Sequence, residues 1–290
     1  MKFDLAIIGP TASGKSDLAI KLAKKLNYEI LSLDSLSIYK EIDIASAKPS
    51  KEELKEVKHY GVNEIYPNEH FDVTKFIEIF KKIPHKNIII VGGTGFYLKA
   101  MIDGISKMPK VTEEIKKEAK KLSFNDIKKI DPDFASKISK NDTYRINKAA
   151  EIYLATGLPP TIYFKKNPPK KIIENIPIFE IEIDRKILRE RIKKRTKKMF
   201  EMGLIDEVAY LESKYRDRRL PALKAIGIKE VLDYFNGKYT KKELEEKIVT
   251  NTARLAKRQQ IFNKTQFPTK ISAPLERLED IILNFYSKQL

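Results

Sequence analysis

Cysteine is absent from this 290-residue chain. That excludes disulfide bonds and thiolate-held metals and fits a cytoplasmic protein. Long hydrophobic runs are missing too. No apolar stretch approaches the roughly 20 residues that cross a bilayer, so no membrane association is expected. The chain runs straight into a strand-like segment, which argues against a signal peptide. Glycine is scarce, with 11 in all and none between Gly104 and Gly157. Arginine is absent before Arg145.

Lysine is what the chain has in excess. Lys and Arg number 57 against 40 Asp and Glu, a net charge of +17. Residues 1–100 hold 15 basic against 13 acidic side chains, residues 101–200 hold 25 against 14, and residues 201–290 hold 17 against 13. The middle third therefore carries +11 of the excess. Such asymmetry points to a polyanionic partner, with a solvated Lys-rich surface as the competing reading.

The most informative residues are Gly9-Pro10-Thr11-Ala12-Ser13-Gly14-Lys15-Ser16. They fit the phosphate-loop pattern G-x-x-x-x-G-K-[ST]. The run Phe3-Asp4-Leu5-Ala6-Ile7-Ile8 before them reads as a buried strand, and Leu18, Leu22 and Leu26 after them recur at helical spacing. Strand, glycine loop and helix make an anion site from backbone N–H groups and a helix N-terminus. Lys15 adds a mobile positive charge, and the Ser16 hydroxyl is placed to hold Mg²⁺. The loop says that a di- or triphosphate binds and not which one.

Apolar runs at 5–8, 30–33, 88–91 and 178–183 read as strands, and their spacing predicts a parallel α/β sheet. The glycine-free stretch after Gly104 carries helix-start signals at Thr112 and Ser123 and reads as a helical insertion, with Lys165–Lys171 as its return linker. The expected division is a P-loop NTPase-like core, 1–104 and 179–290, with a helical insertion at 105–178. A basic helix is expected over 187–200, with Arg189, Arg191 and Arg195. A capping box at Thr240–Glu243 opens a long helix bearing Arg254, Lys257 and Arg258.

Two strand ends offer chemistry. Asp34 follows the second strand and faces the phosphate loop, because ligands in open α/β sheets lie beyond the carboxyl ends of strands. A helix cap or a ligand to metal-bound water is the competing reading. The third strand runs into Val91-Gly92-Gly93-Thr94-Gly95-Phe96-Tyr97, where Thr94 offers a hydroxyl and an N–H unless this is only a tight turn.

Together, G-P-T-A-S-G-K-S at 9–16, D-S-L-S-I-Y-K at 34–40, D-I-A-S-A-K-P at 43–49 and V-G-G-T-G-F-Y at 91–97 resemble the tRNA dimethylallyltransferases, the isopentenyl-diphosphate:tRNA transferases. N-D-T-Y-R at 141–145, the segment 191–208, A-I-G-I-K-E at 225–230 and A-K-R-Q at 256–259 follow in family order. The resemblance covers over 90% of the chain, from the first strand to about residue 264. Two positions depart: Lys148 stands where the family usually has Arg, and Phe262 where it has Trp. The zinc finger of eukaryotic members cannot form without cysteine.

The resemblance implies transfer of a dimethylallyl group from its diphosphate to the exocyclic amine of the adenosine 3′ of the anticodon, with Mg²⁺ as cofactor. It implies catalytic roles for Asp34, Thr94, Lys15 and Arg145, and donor binding by 9–16 and Arg195. The anticodon stem-loop would be bound by Asp34, Ser35, Leu36, Ser37, Thr94, Arg145, Arg254, Lys257, Arg258 and Gln259. A monomer is expected. The rival readings are a phosphate-loop small-molecule kinase, a transferase acting on free adenylate, and a non-catalytic RNA-binding regulator.

Overall fold

Six short strands, all parallel, order as β3-β2-β4-β1-β5-β6 in one sheet. They are β1 (Leu5–Ile8), β2 (Glu29–Ser32), β3 (His59–Tyr60), β4 (Ile88–Gly92), β5 (Ile178–Glu182) and β6 (Ile271–Pro274). The computed structural model describes residues 5–83 and 87–287. Phe3 and Asp4, expected in the first strand, lie outside the described residues. The central strands β1 and β4 are buried at every position, as a parallel sheet covered on both faces requires, which is why they read as unbroken apolar runs.

Around the sheet the chain forms α1 (Lys15–Leu26), α2 (Lys51–Glu56), α3 (Val73–Phe80) and α4 (Gly95–Asp103). Then come α5 (Glu113–Ala119), α6 (Phe124–Ile130), α7 (Pro132–Ala135), α8 (Thr143–Thr156) and α9 (Pro160–Lys166). The chain closes with α10 (Arg185–Glu201), α11 (Leu204–Tyr215), α12 (Ile228–Phe235), α13 (Lys241–Gln266) and α14 (Leu275–Ser287). It divides into two compact units, Met1–Lys99 with Ile173–Leu290, and Ala100–Ile172.

In the first unit, α1 and α14 pack Leu18, Leu22, Leu278 and Ile282 onto Leu5, Ile7, Phe179 and Ile181 of the sheet. A second cluster joins Ile38, Tyr39 and Ile42 to α11, α12 and α13 through Leu204, Val208, Ile228, Val231 and Leu244. The register aligns Ile8 with Gly92 and Ser32 with Val91, so the phosphate loop, Asp34 and Gly93 leave the sheet side by side.

The second unit is helical. Ala119 and Ile127 pack against Ile146, Ala149 and Ala150 of α8. The expected caps are present: Thr112 caps α5, and Ser123 with Asp126 forms the capping box of α6. Buried Asp131 caps α7 and accepts both the amide (2.6 Å) and the hydroxyl (2.9 Å) of Thr161. The expected linker at 165–171 is corrected: Lys165 and Lys166 form the last turn of α9, and Lys170 bridges to Ile105. β3 and β6 had no sequence signal, since one has two residues and the other ends in proline.

Candidate active site

At the carboxyl edge of the first unit's sheet the loop 9–16 turns tightly. Ala12 (φ 65°) and Gly14 (φ 93°) both adopt left-handed backbone. A side chain at Gly14 would also sit 2.7 Å from the Leu275 side chain, so only glycine fits there. Lys15 folds back to donate to the Pro10 carbonyl at 3.2 Å. Two arginines of α10 brace the loop from outside: Arg191 donates to the Ser13 carbonyl (2.9 Å) and Arg195 to the Thr11 hydroxyl (3.1 Å). Burial pushes the Lys15 ammonium down to about 8, and Arg195 pushes the same way, while Asp34 and Asp17 oppose it. Burial likewise lowers Arg195. Two half-desolvated cations at one loop are poised for an anion.

The loop lines a cavity of about 250 Å³. Lys15 and Arg195, beside the Thr11 hydroxyl, form its cationic part, Asp34, Gly93 and Thr94 stand at the strand ends, and Leu36, Ile192, Met199, Ile226, Ile248 and Leu255 form an apolar wall. Asp34 Oδ1 accepts the amides of Leu36 (2.8 Å) and Ser37 (3.2 Å), so one oxygen does cap the following turn. No hydrogen bond to Oδ2 is formed among the described residues, so the cap reading holds for Oδ1, and Asp34 also lines the cavity. The V-G-G-T-G segment is both a turn and a wall: the Gly95 amide donates to the Gly93 carbonyl at 3.1 Å, and Thr94 lines the cavity.

Other expected site residues fall in distinct places. Ser35 is exposed and Leu36 half-buried, whereas Ser37 is buried, its hydroxyl 3.3 Å from that of Ser32. Gly9, Pro10 and Ser13 are also buried. Ser16 is exposed at the start of α1, and among the described residues no cluster of three or more His, Asp or Glu is arranged to hold a metal. That donor set fits a magnesium ion shared with substrate phosphate oxygens and water. Arg145 belongs to the helical unit, exposed and 3.5 Å from Asp142. Lys148, the departure from Arg, pairs with Glu151 at 2.6 Å. Phe262, the departure from Trp, packs where a side chain at Gly95 would stand.

On α13, Gln259 faces the phosphate loop, while Arg254, Lys257 and Arg258 are exposed. Arg254 and Lys257 line a groove of about 380 Å³ with Arg185 and Arg189 of α10; Arg258 is not part of it. Sequence reasoning missed Arg185 and Arg191 as site residues, because which arginines face the loop depends on how α10 packs against α13.

Comparison with known proteins identifies the chain's relatives. A family model described as IPP transferase matches residues 37–266. A tRNA dimethylallyltransferase of Nautilia profundicola is 80% identical over 279 residues, 96% of this chain and 98% of that protein. The tRNA dimethylallyltransferase of Sulfurimonas denitrificans is 53% identical, across 97% and 98%. Among solved structures, a eukaryotic dimethylallyltransferase acting on tRNA superposes with a TM-score of 0.81 at 25% identity, covering 99% of this chain and 78% of that one. The full-length tRNA isopentenylpyrophosphate transferase of Bacillus halodurans superposes with a TM-score of 0.71 at 29% identity, across 99% and 97%.

Proposed function

The chain belongs to the IPP transferase family, and on that premise we infer that it moves a dimethylallyl group from dimethylallyl diphosphate onto the exocyclic amine of the adenosine 3′ of the anticodon in tRNA. The observation that carries this reading is a single cavity holding Lys15 and Arg195, the Asp34 carboxylate and an apolar wall.

Each part suits one demand of the reaction. The adenine amine attacks the allylic carbon as the C–O bond breaks, and the diphosphate leaves with added negative charge. Loop amides, Lys15 and Arg195 meet that charge, and stabilisation present only as the charge develops accelerates the step. The Thr94 hydroxyl donates toward the leaving oxygen. The amine proton passes to Asp34. The apolar wall keeps water from the allylic carbon. Magnesium, when bound, offsets diphosphate charge, with the Ser16 hydroxyl as its protein ligand. The adenine must leave its stack to enter the cavity. Arg254, Lys257, Arg258 and the basic helical unit grip the surrounding phosphates, with Ser35 and Leu36 beside the base.

No helix among the described residues is long and apolar enough to cross a membrane. The test is incubation with unmodified tRNA, labelled dimethylallyl diphosphate and Mg²⁺. Label in the RNA supports the reading. Absence of label there, with phosphate transfer from ATP instead, would assign a kinase.

A further inference from the structure

We propose that Glu207 is a positioning residue: from α11, outside the cavity, it holds the cavity wall made by Ala45 and Ser46 in its working shape. This rests on the transfer reaction inferred above. Glu207 Oε2 accepts the backbone amides of Asp43 (2.8 Å) and Ile44 (2.7 Å), and Oε1 accepts that of Ala45 (2.9 Å). Three successive N–H groups closing on one carboxylate make an anion-holding concavity, here filled by the protein's own side chain.

The segment needs that support. Its carbonyls point the other way: those of Ile42 and Asp43 accept the Ser46 hydroxyl, and that of Ile44 accepts the Ala47 amide. It is thus a short turn outside any helix or strand, whose amides at Asp43, Ile44 and Ala45 bond Glu207 in place of a neighbouring carbonyl. It is flanked by Glu41 (φ 66°) and Ala47 (φ 47°), two side-chain-bearing residues in left-handed backbone. Such conformations last only where the surroundings over-determine them, and they gather at working sites.

The surroundings do so through α11 and one lysine. The Glu41 carboxylate bonds the Lys214 ammonium and the Tyr215 hydroxyl, both on α11. Lys48, its side chain 3% exposed, donates to the Tyr39 carbonyl (2.6 Å), Asp43 Oδ1 (2.8 Å) and Asn63 Oδ1 (2.7 Å). The result of this tethering is visible at the cavity, where Ala45 and Ser46 face the wall formed by Ala225, Ile226 and Gly227. A Cβ at Gly227 would lie 3.9 Å from that of Ala45, so a small shift of the turn changes the width of the cavity. α11 contributes no lining residue of its own.

Two variants separate positioning from bulk folding. Glu207→Ala removes all three acceptor contacts. Glu207→Gln keeps one oxygen and turns an NH₂ group toward the remaining amide. At saturating dimethylallyl diphosphate, kcat for tRNA prenylation should fall in the order Glu, Gln, Ala, by about 10- to 100-fold for Ala, the scale of a misplaced reacting group. The affinity for dimethylallyl diphosphate should stay within about threefold of wild type, because the phosphate loop is untouched. Amide hydrogen exchange over 42–47 should accelerate in both variants while exchange in β1 and β4 is unchanged. If Glu207→Ala does not fold, Glu207→Gln decides by the same readouts. Wild-type kcat with wild-type exchange in the variants overturns the proposal, as does donor affinity falling in step with kcat. Failure of wild-type protein to label tRNA would sink the transferase reading alone and leave the exchange measurement to judge the clamp.

Discussion

The side-chain oxygen of Gln259 accepts the backbone N–H of Thr11 at 2.8 Å, tying α13 to the phosphate loop across most of the chain. The other end of the same amide is boxed in, because a Cβ at Gly93 would fall 2.5 Å from Gln259 Nε2. One side chain therefore registers three elements that meet at the cavity: the loop after β1, the turn after β4 and the helix α13. Gly93→Ala should displace it and lower prenyl transfer about 10- to 100-fold. Gln259→Glu should weaken dimethylallyl diphosphate binding about tenfold by setting a carboxylate beside the loop. Equilibrium titration with the donor checks the second, and steady-state labelling of tRNA the first.

Asp34→Asn should leave the fold and donor affinity near wild type and cost about 10²–10⁴ in rate, the range for loss of a general base. The asparagine carbonyl can keep the amides of Leu36 and Ser37 that Asp34 Oδ1 accepts, so the turn survives. Its NH₂ cannot take the amine proton. Single-turnover labelling measures the step, and near-normal turnover would remove Asp34 from the role.

The sheet was legible wherever burial leaves a mark on sequence. β1 and β4 are apolar at every position because both faces are covered, and the phosphate loop is written in its glycines and Lys15. β2 and β5 were recovered with ends shifted by a residue. What stayed hidden depends on packing between distant segments. Nothing in a linear reading of D-I-A-S-A-K-P says that Glu207, more than 160 residues later, accepts its amides. Nor does composition reveal that Arg191 and Arg195 turn inward while Arg185 and Arg189 line an outer groove. The function was legible because short motifs occur together in family order.

Lys15 should make the ligand-free protein less stable at neutral pH and bind the donor less well in alkali. Burial holds its folded value at about 8, below that of an unfolded lysine. The unfolded chain therefore binds more protons between about pH 8 and 10, and stability rises with pH through that window. Below it the desolvation cost is present in full. Lys15→Met should raise the melting temperature at pH 7 by about 2–4 °C for each kcal/mol relieved, and the gain should shrink as pH climbs past 8. Donor affinity of wild-type protein should fall over the same interval as the ammonium deprotonates. A pH-independent difference in melting temperature would refute the assignment.

The groove between α10 and α13 should show itself in salt dependence. Arg185, Arg189 and Lys257 form no ion pair among the described residues, and no carboxylate lines the groove with them. Neutralising Arg189 and Lys257 together should weaken tRNA binding and reduce the slope of log affinity against log salt by about 2, roughly one for each lost phosphate contact. Donor affinity should not change. An unaltered slope would mean that RNA phosphates do not reach this groove.

Removing most of the helical unit should abolish tRNA binding and spare the donor site. Its ends meet: the Ile172 amide donates to the Met101 carbonyl at 2.9 Å, and Ile105 bridges Lys170. Residues 105–169 can therefore be replaced by a short linker without stretching the chain. The apolar cluster of α5, α6 and α8 draws only on residues of the helical unit. The unit holds 16 Lys and Arg against nine Asp and Glu, a surplus suited to an RNA stem. Affinity for dimethylallyl diphosphate should stay within about threefold of wild type, because the phosphate loop, Asp34 and Thr94 all lie in the other unit. Binding of labelled anticodon stem-loop and of the donor, measured on the same shortened protein, separates the two roles. A folded variant that still prenylates tRNA at the full rate would show that the helical unit is not the RNA clamp.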